Sequence, residues 1–247
     1  MTKLLLLGSG PGVVACRDWP RAPFDVIVAI NNAWAVRPDW DALVYPHDFP
    51  AARMPPAPAP HQALIDETAF VPAMNAFGGV VYCGATMALT AAYWVLARYR
   101  PKVVAVLGCD MVYPATGPSH FYGQGRADPL RADITLQSLE AKSARLMVQA
   151  AAQGTAMVNL SSGPSRLVFP RATSRTLPTR PARFDPARAA RALAREAELG
   201  YGAPSGRGWN DPDRFDPARL RALDALWLDA AGGPCAPSTA NIFQPGA

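Results

Sequence analysis

The sequence has few of the features that build disulfide scaffolds, zinc sites or membrane proteins. Its four cysteines, Cys16, Cys83, Cys109 and Cys235, lie far apart and form no C-x-x-C pair. Reduced thiols are therefore expected rather than disulfides or a zinc site. No apolar run approaches the ~20 residues that a transmembrane helix needs. Residues Met1–Lys3 lead straight into an apolar segment without the layout of a signal peptide, so a cytoplasmic protein is expected.

Lysine is scarce, although the protein is basic. Lys3, Lys102 and Lys142 are its only lysines, and arginine provides the rest of a net charge of +5. The arginines form no stripe interleaved with aromatic residues, so nucleic acid is not an expected partner. A modest positive charge suits a phosphorylated ligand instead. These features leave the oligomeric state open.

Chemically active side chains follow a segment that is predicted to be a buried strand. Val103–Leu107 is rich in β-branched residues and ends at a glycine, and Asp110, Tyr113 and His120 come soon after it. Parallel strands covered on both faces have this composition, and ligands of open α/β sheets bind beyond the carboxyl ends of the strands. The carboxylate, the phenol and the imidazole are therefore the candidate catalytic residues.

A glycine-rich turn follows the first predicted strand, Lys3–Leu7. Glycines allow a backbone to approach a phosphate closely with its amides towards the anion. The turn is not the G-x-G-x-x-G fingerprint, because position 13 is valine, and the next strand ends in asparagines rather than an acidic residue. NAD is therefore not expected. Polar residues at these strand ends and at a later one are the candidate nucleotide-binding residues: Gly8, Ser9, Gly10, Pro11, Gly12, Asn31, Asn32, Ser161, Ser162 and Ser165.

Short apolar runs alternate with helical patterns along most of the chain, which predicts an α/β protein. The fold expected is Rossmann-like: a mostly parallel sheet flanked by helices, with a C-terminal helical hairpin. The segment R-F-D-P-A-R occurs at Arg183 and again at Arg214, and each copy offers Asp as N-cap and Pro as first helical residue. We expect a nucleotide-binding domain over 1–171 and a helical extension over 172–247. The predicted strands are Lys3–Leu7, Asp25–Ile30, Ala42–Tyr45, Val103–Leu107 and Ala156–Leu160, and the main helices Ala85–Arg98 and about Leu136–Gln153.

Several short motifs, in this order and spacing, resemble a superfamily of Rossmann-like proteins. One branch contains bacterial CMP-sialic-acid-dependent sialyltransferases, and another contains 6-hydroxymethylpterin diphosphokinase-like proteins. Related phage and prophage proteins of unassigned role share further motifs. The resemblance covers roughly residues 3 to 171. Its motifs are G-S-G-P-G at Gly8–Gly12, I-N-N at Ile30–Asn32, C-G-A-T-M-A-L at Cys83–Leu89, L-G-C-D-M at Leu107–Met111, and the segments His120–Gly123, Asn159–Ser161 and Phe169–Arg171.

The resemblance to the sialyltransferases implies a glycosyltransferase-like enzyme that binds a nucleotide-activated sugar. The equivalent of Gly8–Gly12 cradles the nucleotide in that family, and Asn31 matches an asparagine that contacts the donor. Tyr113 matches a tyrosine that hydrogen-bonds the departing phosphate. Gln124 stands where that family has its catalytic histidine, so the nearby His120 is the candidate acid or base.

Two other functions remain open at this stage. The resemblance to the diphosphokinase branch rests on Pro38–Asp39, Asp48 and Asp110, and it implies a diphosphotransferase with Mg²⁺ bound by Asp48 and Asp110. The residues themselves assign no metal site and no cofactor. A non-catalytic, prophage-derived protein that binds nucleotides or serves in assembly is the third hypothesis, which the glutamine at position 124 favours.

Overall fold

A fully parallel, six-stranded sheet organises the chain, and the predicted α/β, Rossmann-like fold is confirmed. The computed structural model describes residues 2–114, 116–125 and 133–232. The strands are β1 Lys3–Leu7, β2 Val26–Ile30, β3 Ala42–Val44, β4 Ala63–Ile65, β5 Val103–Leu107 and β6 Ala156–Asn159. Their order in the sheet is β4-β3-β2-β1-β5-β6, so the two predicted apolar strands β1 and β5 are adjacent in its interior.

The two faces of the sheet are covered differently. One face packs against α-helices, which bury residues such as Phe70, Tyr93 and Leu146. The other face is covered by short 3-10 segments, including Pro11–Cys16 and Asn31–Ala35. The helices are α1 Glu67–Asn75, α2 Val80–Cys83, α3 Met87–Tyr99, α4 Leu139–Ala152, α5 Pro186–Leu199 and α6 Pro217–Ala230.

Two central helices begin later than their apolar patterns predict, because capping residues set their starts. Thr86 caps α3 by accepting a hydrogen bond from the Leu89 amide. The residue before it, Ala85, has a φ of 99° and cannot belong to the helix. Ser138 caps α4 in the same way. The caps leave a sharp bend at Ala85, at the carboxyl edge of the sheet.

The apolar pattern of Ala156–Leu160 predicts an inner strand of the sheet, but the observed strand β6 lies at its edge. A return segment accompanies its end: the Asn159 amide donates to the carbonyl of Pro170, and the Ala172 amide donates to the carbonyl of Asn159. This pairing covers backbone groups that an open edge would expose. The residues between Asn159 and Pro170 consequently fold back beside the sheet.

The C-terminal helices form the predicted hairpin. Asp185 and Asp216 cap α5 and α6, each accepting two backbone amides. Both helices also contact an ionic group buried on α4. There the Arg145 guanidinium binds both carboxylate oxygens of Glu196 at 2.7 and 2.8 Å, and the Trp227 indole donates to the same carboxylate at 2.7 Å. The hairpin is thereby joined to the helical layer of the sheet.

Another buried carboxylate, Asp224 on α6, makes the stability of the fold depend on pH. Asp224 is only 9% exposed, and burial, opposed in part by the Lys142 ammonium, raises its pKa from 3.8 to about 6. The folded chain therefore binds this proton more tightly than the unfolded chain. The stabilisation is fully present below the unfolded pKa and is lost as the pH rises through the folded one.

Replacing Asp224 by the isosteric Asn is expected to remove this dependence. From about pH 4 to pH 7, the unfolding free energy of Asp224→Asn should rise relative to the wild type by about 2 kcal/mol, because a shift of one pKa unit corresponds to about 1.4 kcal/mol and part of the effect lies below pH 4. Urea unfolding at a series of pH values measures the difference. Asp229→Asn, at a half-exposed position on the same helix, controls for the loss of a negative charge. A difference that stays constant across this range would contradict the prediction.

Within the described ranges, no helix has the length and apolar character needed to cross a membrane. The described cysteines, Cys16, Cys83 and Cys109, are buried and free, as expected for reduced thiols. Cys235 lies outside the described residues.

Candidate functional site

A cavity of about 840 Å³ opens at the carboxyl edge of the sheet. Its volume falls within the range of pockets that bind small molecules and cofactors. It collects the ends of β1, β2 and β5, as the strand-end rule predicts. The predicted site residues that line it are Gly8, Ser9, Gly10, Pro11, Asn31, Asn32, Asp110, Tyr113 and His120.

Four predicted nucleotide-binding residues do not line the cavity: Gly12, Ser161, Ser162 and Ser165. The serines follow the edge strand β6, where the chain folds back beside the sheet. Ser165 Oγ accepts a hydrogen bond from Asn159 Nδ2 at 3.0 Å, and the same amide donates to Asp110 Oδ1 at 3.0 Å. The fully buried Asn159 therefore orients Asp110, and Ser165 supports it from behind the cavity.

The glycine turn is joined to the end of β5 through its main chain. The Gly8 amide donates to the Leu107 carbonyl and the Gly10 amide to the Gly108 carbonyl, both at 2.8 Å. A Cβ atom on Gly8 would lie 2.4 Å from the Gly108 oxygen, so these glycines are required for contact between two backbones. The expectation that the amides of the turn face a phosphate is wrong for Gly8 and Gly10. We call residues 8–10 and 108 the main-chain floor of the cavity.

Backbone strain concentrates around the cavity. Among the described non-glycine residues, four have positive φ angles, and three of them line the cavity: Asn31 at 51°, Ala85 at 99° and Met111 at 54°. Such conformations persist where the surrounding structure enforces them, and they cluster at functional sites. The Oδ1 atom of Asn31 is also buried without a hydrogen-bond partner within the described part of the chain. A ligand that brings an N–H or O–H donor would satisfy this acceptor.

His120 lies among aromatic rings on a tight turn. Its imidazole stacks on Tyr122, with 5.0 Å between ring centroids, and lies 6.2 Å from the Tyr113 ring. The turn contacts the main-chain floor, because the Phe121 amide donates to the Ser9 carbonyl at 3.0 Å. Burial lowers the pKa of His120 below its ordinary 6.5, and the positive charge of Arg53 lowers it further. The imidazole is therefore neutral at neutral pH, the state required of a general base.

Ser119 can select the tautomer of His120. Its Oγ lies 2.8 Å from His120 Nδ1, accepts the Gly125 amide at 3.1 Å, and lies 3.3 Å from the Gly125 carbonyl. If the Ser119 hydroxyl donates its proton to the Gly125 carbonyl, its oxygen is free to accept a hydrogen bond from Nδ1–H of His120. The imidazole then carries its proton on Nδ1 and a lone pair on Nε2. This arrangement equips Nε2 to accept a proton from a bound substrate.

The remaining sequence candidates at this edge are Cys109, Gln124 and Asp48. Burial, with a smaller effect of the Asp110 charge, raises the pKa of the Cys109 thiol, so Cys109 is not a thiolate nucleophile at neutral pH. Gln124, which aligns with the sialyltransferase histidine, is exposed and does not line the cavity. Asp48 and Asp110 both line it, but the described residues contain no group of three or more His, Cys, Asp or Glu side chains that could hold a metal ion.

One wall of the cavity comes from the segment between α5 and α6, which sequence reasoning did not assign to the site. Ser205, Gly206, Arg207 and Trp209 line this wall, and Glu67 and Val71 of α1 line the cavity as well. No local motif marks these residues. Their position depends on how the hairpin packs on the sheet domain, about 200 residues along the chain from the glycine turn.

Comparison with known proteins returned no relative. No family model matches the chain, and neither a curated protein nor a solved structure matches it.

Proposed function

We propose that the protein is a glycosyltransferase-like enzyme that binds a nucleotide-activated sugar in the cavity at the carboxyl edge of its sheet. The observation that carries the proposal is the meeting of Asp110, Tyr113 and His120 with the strained, unsatisfied Asn31 in that one cavity. The resemblance to the sialyltransferases supports the same assignment, since Asn31 and Tyr113 match residues that contact donor and departing phosphate there.

The chemistry needs one proton acceptor and one group that stabilises the leaving phosphate. Nε2 of His120 takes the proton from an acceptor hydroxyl, and the hydroxyl oxygen forms a bond to the anomeric carbon of the donor sugar. The bond between that carbon and the phosphate oxygen breaks, and its electron pair leaves with the nucleotide. The Tyr113 hydroxyl donates a hydrogen bond to the phosphate oxygen as its charge increases.

The second candidate, a diphosphotransferase, is favoured by the presence of both Asp48 and Asp110 around the cavity. Two carboxylates do not complete a metal site, so phosphate oxygens of the substrate would have to supply further ligands to Mg²⁺. The ion would neutralise charge on the transferred group. A stability increase with ATP that requires magnesium would support this candidate over glycosyl transfer.

A thermal-shift screen with a matched variant tests nucleotide binding directly. We expect one of CMP, UDP, GDP or ATP to raise the melting temperature, because a ligand that binds only the native state adds about 2.7 kcal/mol at ~100 times its Kd. Asn31→Gly tolerates the positive φ but lacks the amide oxygen. It should weaken binding about 5- to 30-fold, since one hydrogen bond in a buried site contributes about 1–2 kcal/mol.

The control is the stability of the variant without ligand. The melting temperature of Asn31→Gly should lie within about a degree or two of that of the wild type, as expected for a stability change well below 1 kcal/mol. Absence of any nucleotide effect on the wild type would overturn the proposal. An equal affinity in Asn31→Gly would show that the buried oxygen does not contact the ligand.

A further inference from the structure

A large aromatic ring of the C-terminal hairpin is exposed at the cavity. Trp209 lines the cavity and is 56% exposed, more than any other large hydrophobic residue that the structure describes. Of the other described tryptophans, Trp40, Trp94 and Trp227 are buried, at 3%, 5% and 2%, and Trp19 and Trp34 are partly buried. Exposing an indole forgoes much of the stabilisation that burial of such a large apolar side chain provides, which suggests that its position serves a function.

The segment that presents Trp209 is anchored at several points. The Asn75 side chain donates to the Pro204 carbonyl at 2.8 Å, and Arg214 donates to the carbonyls of Gly200 and Gly202. Gly206 has a φ of 74° and lies so close to α1 that a Cβ atom would be 2.7 Å from Val71. The exposed indole is thus part of a defined wall, since α1 and the hairpin both constrain the backbone beside it.

Charged side chains of both signs line the cavity, which suits an uncharged, hydroxyl-rich ligand. The carboxylates of Asp48 and Glu67 and the guanidinium groups of Arg53 and Arg207 line the same cavity. Carboxylates accept hydrogen bonds from pairs of neighbouring hydroxyls, and they repel a second anion. An aromatic ring packs well against the face of a pyranose that carries C–H groups, because the positive C–H edges meet the negative face of the ring.

We propose that Trp209 forms the acceptor subsite of the enzyme, where its indole stacks on a hexopyranose ring of a neutral saccharide. The proposal rests on glycosyl transfer as the function and names its second substrate class. The nucleotide part of the donor then lies over the main-chain floor and Asn31. The hairpin supplies the surface for the acceptor, so the two substrates contact different parts of the chain.

Two variants at position 209 test the subsite by direct binding. The probes are methyl β-galactopyranoside, methyl β-glucopyranoside and lactose, and the signal is the ¹H–¹⁵N resonance of the Trp209 indole, assigned by its absence in Trp209→Phe. We expect at least one probe to shift this resonance. In saturation-transfer NMR, Trp209→Ala should lower the affinity for that saccharide about tenfold. Trp209→Phe should lower it less, since a phenyl ring retains most of the stacking. Neither variant should change CMP affinity or the melting temperature of the free protein.

Each outcome of this experiment decides between alternatives. If no probe shifts the indole resonance, or if Trp209→Ala binds the saccharide as well as the wild type, the acceptor subsite is refuted. If Trp209→Ala lowers CMP affinity instead, the indole stacks on the base and the proposal is also wrong. If a saccharide binds through Trp209 while no nucleotide binds, the subsite stands and the transferase function fails.

Discussion

Arg145→Met is expected to lower the free energy of unfolding by about 3–5 kcal/mol, the cost of removing one partner from a buried ion pair. Arg145 is 2% exposed and donates to both oxygens of Glu196, to the Tyr93 hydroxyl at 2.7 Å, and to the Phe77 carbonyl. Methionine fills a similar volume but donates nothing. The variant therefore leaves the buried Glu196 carboxylate without its positive partner, with the Trp227 indole still donating to it, and leaves the Phe77 carbonyl without the Arg145 donor.

A double variant separates the loss of the pair from the loss of packing. Arg145→Met combined with Glu196→Gln removes both charges, and it should recover about 1–3 kcal/mol of the single variant's loss, because no isolated charge stays buried. Urea unfolding followed by circular dichroism measures both values. Equal stability of the single and double variants would mean that the carboxylate of Glu196 is not the source of the cost.

His120→Asn is expected to reduce turnover about 10²- to 10⁴-fold, the usual contribution of a positioned acid or base. Nucleotide affinity should change little, because proton transfer contributes to the transition state and not to the ground-state complex. Loss of activity in the wild type as the pH falls should occur below pH 6.5, since burial and Arg53 hold the pKa of His120 below its ordinary value. Measurement of kcat/KM against pH with a responsive donor checks both statements.

His47→Asn is the matched control, because His47 also lines the cavity but is exposed and lies beside Asp48. A larger loss of turnover in His47→Asn than in His120→Asn would transfer the proton-acceptor role to His47. Ser119→Ala provides a second check, since it removes the hydroxyl within 2.8 Å of Nδ1. It should reduce turnover less than His120→Asn does, because the imidazole remains present without a fixed tautomer.

The sequence predicts the central strands of the sheet well, but it does not predict the edge strand β4 or the helix α1. Continuous apolar runs mark β1, β2 and β5, which are buried on both faces. The strand β4 was missed because it has three residues and two of them are exposed, so neither length nor hydrophobic pattern distinguishes it from a loop. The α1 helix was also missed, since Pro72 lies within it and proline usually interrupts a helix.

The same limits apply to the cavity. The strand-end rule brings Asn31, Asp110 and Tyr113 to one edge because neighbouring parallel strands end together. The same rule does not bring Ser161 to the cavity, because Ser161 follows the edge strand β6. That strand has only one neighbouring strand, and the chain turns back along it. The wall around Trp209 could not be predicted, because it depends on packing between α1 and a segment far along the chain, and no periodicity records such contacts.

The division between a main-chain floor and side-chain walls has a consequence for divergence among sequences. The hydrogen bonds of the floor use peptide groups, so substitutions elsewhere leave them intact, while any side chain at Gly8 or Gly10 would collide with Gly108. Three separate loops, around Arg53, His120 and Trp209, contribute to the walls together with α1. Each loop can accumulate substitutions or insertions at little cost to the sheet. Substitutions in the loops can therefore change the ligand preference while the glycines stay constant. The spacing of these glycines is the feature that relatives of the protein are expected to share.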